Sequence, residues 1–199
     1  MKVKIKKEGK VETFKLINSW SDVTLETWLK LIDFETGTKT EEATETIAAL
    51  SDIPKKLIKE LSLSDVAVIM SKVGELQAKQ DTELKRIIEI NDVEYAFHPD
   101  LSEITLGEYA DIEQFIKNGI DKQLPELMSV LYRPIKLKKN DIYIIEPYDG
   151  DIRLRAEEMK QMSAEQVQSA LVFFYTLGKV LSEIMPLYLM ERLKETKTQ

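Results

Sequence analysis

The chain has 199 residues, 43% of them apolar and 32% charged, and carries a formal net charge of −7 at neutral pH. That balance suits a globular chain with a sizeable core, and a pI of about 5.0 argues against a general nucleic-acid binder, which presents a basic face. With no cysteine, disulfides, thiolate chemistry and cysteine metal sites are excluded, and the first residues carry no apolar signal core.

The opening MKVKIKKEGK alternates lysines with Val3 and Ile5, which reads as an edge strand guarded by lysine rather than a nucleic-acid arm. Residues 2–7 and 11–17 flank Glu8-Gly9 as a hairpin, and helices are expected near 25–35, 41–51, 54–60 and 63–80, with Gly37 suited to a helix C-cap. The polar residues 77–82 read as a joint. Beyond it, residues 86–90 and 93–97 flank Asn91-Asp92, whose types tolerate the positive φ of a tight turn.

Helices follow near 106–117 and 121–132, stopped by Asn118-Gly119 and by Pro134. Residues 136–141 read as a charged loop. Residues 141–155 read as a strand (IYII), a turn (PYDGD) and a return, a surface insertion of the kind that carries binding. Ser163 with Gln166 is a capping-box pattern, opening a helix whose stripe runs through Val167, Leu171, Phe174, Leu177, Gly178 and Leu181. The apolar run 167–190 is interrupted by Lys179, Glu183 and Pro186, which favours a core helix over a membrane span. The tail from Glu191 is charged and reads as frayed.

One stretch is stated twice. SDVTLETWLKLIDF (21–34) aligns with SEITLGEYADIEQF (102–115), each with a Thr N-cap at Thr24 or Thr105 and a hydrophobic staple of Val23 with Trp28 or Ile104 with Tyr109. Glu108 completes a capping box where the first copy has Thr27. Upstream, Phe14 and Leu16 match Tyr95 and Phe97; downstream, residues 45–57 match 125–137 with Pro54 on Pro134, and 61–76 match 162–177. The expected fold is therefore α+β and mostly α, with two hairpin-plus-helices units at 1–80 and 81–199. It reads as an internal duplication with an insertion at 138–161 and a long apolar C-terminal helix.

No catalytic motif stands out. His98 is the single histidine, beside Pro99 and without a nucleophile motif, and no phosphate-cradling glycine loop is present. Asp141, Asp149 and Asp151 fail the spacing of a calcium loop, so a polar turn is the better reading. Arg133, at the end of an apolar helix, needs a partner if buried, and Glu108 and Asp111 share a face of the preceding helix. The first copy has Thr27, Lys30 and Ile53 at these positions, so acids and arginine disappear together, as expected of a structural clamp. The alternative is that Arg133 reads a partner's carboxylate.

At ITLGEYADIEQF, LYRPI and ALVFFYTLGKVL, spanning roughly residues 93–181, the chain resembles a group of small tailed-bacteriophage proteins encoded among virion genes. The resemblance implies a non-enzymatic structural or assembly protein of the tail, baseplate, head–tail ring or internal cargo, or a chaperone for one of these. It also implies a place in the virion or host cytoplasm, and partners that are other virion proteins or further copies of the chain in a ring. Neither cofactor, nucleic acid nor membrane is expected. The candidate contacts are Lys4 and Lys6 on the first hairpin, and Tyr143, Tyr148 and Asp149 in the insertion. Two alternatives remain: a metal-dependent enzyme using Glu108, Asp111 and Glu113, and a host-directed regulator that sequesters a cellular protein.

Overall fold

The computed structural model describes residues 1–7, 10–34, 38–77, 83–140 and 142–175. The expected turn at Glu8-Gly9, the C-cap at Gly37, most of the joint at 77–82, Asp141 and the tail from Glu191 lie outside the described residues.

The chain is α+β and mostly helical. Strands β1 (Lys2–Lys7) and β2 (Lys10–Lys15) form an antiparallel hairpin with Val3 opposite Phe14. Helices α1 (Leu25–Phe34), α2 (Lys39–Leu50), α3 (Lys55–Ile58) and α4 (Leu63–Gln77) follow. The second half begins with β3 (Ile87–Ile90) and β4 (Val93–Phe97), then α5 (Leu106–Asn118) and α6 (Leu124–Leu131). It continues through β5 (Tyr132–Lys139), β6 (Ile142–Ile145) and α7 (Ile152–Met159) to a further helix, α8, described over 164–175. The four later strands make one antiparallel sheet in the order β3-β4-β5-β6. No helix among the described residues is long and apolar enough to cross a membrane, and the rest of the apolar run to 190 lies outside them.

Local signals account for the starts of α5 and α8 and for the second turn. Thr105 accepts from the amide of Glu108 while Glu108 accepts from the amide and hydroxyl of Thr105, and Ser163 and Gln166 exchange the equivalent bonds. Asn91 and Asp92 sit at φ 51° and 63°, the left-handed pair that a two-residue hairpin needs.

Three expectations need correction. Residues 136–139 are strand, not loop, because Leu137, Lys138 and Lys139 pair with β6 after one register irregularity between Ile135 and Leu137. Arg133 is a strand residue, not the end of a helix. Tyr132 already turns extended at φ −114° and ψ 126°, and Pro134 disfavours helix in the residue before it. The stretch after the PYDGD turn is helix α7, not a returning strand, and the insertion is no mere surface feature. Its Ala156 and Met159 are buried, and Met159 joins the core against α6.

Two apolar cores follow the two halves. The first gathers Val3, Ile5, Leu16, Trp20, Ile47, Leu50, Ile58 and Ile69; the second gathers Ile88, Phe97, Ile112, Leu127, Leu131, Tyr132, Met159 and Val167. Each half lends one fully buried residue to the other. Leu25 at the start of α1 is fully buried in the second core, Ala164 at the start of α8 is fully buried in the first, and Trp28 packs against both. Backbone bonds fasten the exchange: the Leu25 amide donates to the Met162 carbonyl (2.7 Å), and the Ala164 amide to the Val23 carbonyl (2.7 Å).

The repeated sequence is matched by repeated bonds. The Ile17 amide donates to the Leu50 carbonyl at 3.0 Å, and the His98 amide to the Leu131 carbonyl at 2.7 Å; 17 to 98 and 50 to 131 are the same shift of 81. Leu16 bridges Ser51 antiparallel as Phe97 pairs with Tyr132, again shifted by 81. The position equivalent to Arg133 is therefore Asp52, one residue before the Ile53 suggested by aligning the prolines. After this shared bridge the halves diverge, since Ser51 leads through Pro54 into α3 while Tyr132 continues as β5.

Candidate functional site

The divergence places a polar cluster in the second half alone. His98 follows β4, Glu108 lies in the first turn of α5, and Arg133 comes from β5; all three are buried, with Glu108 at 1% exposure. One Glu108 oxygen lies 2.7 Å from Arg133 Nη2 and 3.7 Å from His98 Nε2, while the other is bonded by Thr105. The equivalent residues of the first half are Ile17, Thr27 and Asp52, so there the same backbone frame holds no such cluster.

The surrounding loop closes over it. The Tyr148 ring lies 5.9 Å from the Arg133 guanidinium and passes beside Gly107, where a Cβ would meet it at 3.6 Å. Its hydroxyl donates to Asp111, so Asp111 reaches the cluster through Tyr148 rather than binding Arg133 itself. Asp149, largely exposed, accepts from Arg155 Nη2 at 2.5 Å and from the Asp151 amide at 3.0 Å. The cluster thereby joins α5, β5, the 146–151 loop and α7.

Burial pushes the Glu108 carboxyl up, but the Thr105 bonds and then the charges of Arg133 and His98 outweigh it and hold Glu108 below the usual range. Burial holds His98 below its ordinary value against the opposing pull of Glu108. Burial, then the bond to Asp111, raises the Tyr148 phenol. This arrangement keeps Glu108 charged and His98 neutral, but it aims no nucleophile at an open cavity.

The other candidate residues fall elsewhere. Lys4 is exposed on β1, opposite Thr13, on the face away from Val3 and Ile5, and Lys6 continues the same strand. Tyr143 is half-buried on β6 and donates its hydroxyl to the Phe97 carbonyl at 2.9 Å, so it ties the sheet together. Glu108, Asp111 and Glu113 are not gathered: Glu113 pairs with Lys117 at 3.0 Å, and among the described residues no group of three acids or histidines could hold a metal ion.

The residues missed by sequence reasoning are the neighbours of Tyr143. Leu137, Ile142 and Ile144 are 62%, 78% and 56% exposed, and the register puts Leu137 opposite Ile144 on one face of the β5–β6 hairpin. The run IYII carried the signal, because apolar residues in both phases of a strand cannot all be buried when one face meets solvent. Comparison with known proteins adds no relative: no protein family, no curated protein and no solved structure matches the chain.

Proposed function

We propose that this chain is a non-enzymatic bacteriophage structural or assembly protein that acts by binding other virion proteins. The observation that carries the reading is the apolar face of the β5–β6 hairpin at the end of the four-stranded sheet, where Leu137, Ile142 and Ile144 stand more than half exposed beside Lys136, Lys138 and Lys139. An edge strand offers unpaired backbone groups, and one with exposed apolar side chains accepts a strand or apolar surface from a partner. Lys138 is paired with Glu94 at 2.5 Å, and Lys136 and Lys139 favour a partner whose rim is acidic. The titratable cluster supports the same reading, since Glu108 pairs with Arg133 and Tyr148 donates to Asp111 within the fold. The phage assignment rests on the resemblance at TLGEY, LYRP and FF. The test is mass spectrometry of purified particles, counting this chain against the major capsid protein. A fixed multiple per particle makes it a virion component, and its absence from particles together with co-purification on immature virion proteins makes it a chaperone. A chain that associates with neither particles nor virion proteins overturns the proposal.

A further inference from the structure

Strand β4 has a neighbour on each side, β3 and β5, whereas its counterpart β2 has a strand, β1, on one side only. On the other side the first half starts the same ladder and then stops it. The Ile17 amide donates to the Leu50 carbonyl and the Asp52 amide to the Lys15 carbonyl, as a strand beside β2 requires. The Lys15 amide, however, is taken by the Asp52 carboxylate at 2.6 Å, and the chain leaves through Pro54 into α3. In the second half β5 carries on, and Arg133 and Pro134 pair with Ala96 and Tyr95, the counterparts of Lys15 and Phe14.

The Leu16 amide donates to the Met1 carbonyl, so by the alternation of an antiparallel ladder Phe14 and Glu12 bond inward to β1. Thr13 and Val11 therefore turn their amides and carbonyls outward, and these groups have no partner among the described residues. Thr13 shares its face of the hairpin with Lys15 and, across the register, with Lys2 and Lys4. All three lysines are exposed and none has an ion pair among the described residues. Lys2 stands directly opposite Lys15, a like-charge pair that costs stability until an anion relieves it. The seam of the second half is already neutralised, since Lys138 of β5 meets Glu94 of β4. Where the first ladder stops, a cleft of about 610 Å³ opens, lined by Lys15, Leu16, Ile17, Leu50 and Asp52 among others. The counterparts Phe97, His98, Leu131 and Arg133 are buried.

We infer that the outer edge of β2 takes an acidic, extended segment of a partner protein, laid antiparallel to β2 in the place that β5 holds on β4. Its backbone bonds the outward groups of Thr13 and Val11, and acids at its alternate positions meet Lys15, Lys4 and Lys2. The second half supplies the strand geometry and the unpaired lysines supply the charge. The outer edges of β3 and β6 are open as well, but the first half has no strand at either place, so neither has such a template. The inference stands whether or not the partner is a virion protein, and it uses a different surface from the β5–β6 hairpin.

The test is fluorescence anisotropy of a labelled short peptide alternating glutamate with valine, titrated with the full chain and with Thr13→Pro. Proline on an edge strand removes only the amide that faces outward, so the hairpin keeps its bonds to β1. The parent chain is expected to bind the peptide saturably and to leave a lysine–valine peptide unbound, with Thr13→Pro weaker by about tenfold. If that variant unfolds, the glutamate peptide N-methylated at its central residues decides, because it keeps its charge but cannot extend a sheet; it too should bind about tenfold more weakly. Absence of saturable binding by the parent, equal binding by a folded Thr13→Pro, or equal binding of the N-methylated peptide each overturns the inference. So does binding that disappears when Leu137, Ile142 and Ile144 are replaced by threonine, which puts the peptide on the other hairpin. A parent dimer that Thr13→Pro dissociates makes a second copy the occupant and overturns it as well.

Discussion

Glu108 serves two masters with its two oxygens: one completes the cap of α5 and the other meets Arg133. Such a buried pair contributes little net stability relative to an apolar substitute, yet breaking it strands a charge. Arg133→Ala is therefore expected to cost about 3 kcal/mol, read as a lowered denaturation midpoint with an unchanged slope; an unaltered midpoint would remove the clamp from the account. His98 adds a pH dependence. Its folded value lies below the ordinary 6.5, and that of Glu108 below 4.5, so the unfolded chain takes up these protons first as the pH falls. Stability is fully present above about 6.5, declines below it as unfolded His98 protonates, and declines again below about 4.5. His98→Gln should abolish the upper step and leave the lower one. Thermal melts from pH 7.5 to 3.5 check this, and coincident profiles for the two proteins would refute it.

Among the elements, the β5–β6 hairpin makes the clearest commitment. Replacing Leu137, Ile142 and Ile144 together by threonine keeps β-propensity while removing the exposed apolar face. The expected result is an unchanged melting temperature with loss of virion-protein recovery, and retained recovery would move the contact elsewhere. What could be read from sequence here divides along physical lines. The Thr105–Glu108 and Ser163–Gln166 caps and the Asn91-Asp92 turn were legible because each is settled within four residues. Strand β5 was not, since its start at Tyr132–Pro134 becomes strand through β4, more than thirty residues upstream, and KLKK only by pairing with β6. Helix α7 was hidden for a similar reason: of RLRAEEM only Ala156 and Met159 are buried, while Leu154 is 74% exposed. In the cluster, the need of Arg133 for a carboxylate was visible from charge alone. The position of His98 emerged only from the shared bond pattern that puts it where Ile17 sits.

At the scale of the whole molecule, the two cores are not separable. Leu25, worth roughly 1.5–3 kcal/mol when buried, belongs to the second core, and the bridge at Thr24 and Ser163 spans both. Residues 1–80 and 81–199 produced separately should therefore fail to melt cooperatively, and mixing them should restore a transition; two independently cooperative halves would contradict this. The same exchange has a bearing on biosynthesis. A ribosome releases the amino end first, and multidomain chains ordinarily fold in that order. Here Leu25 and one side of Trp28 have no surface to rest on until strands β3 to β5 and the start of α8 have been made. Helix α1 is thus made well before the surface it rests on, and an apolar seam stays open on the nascent chain in between.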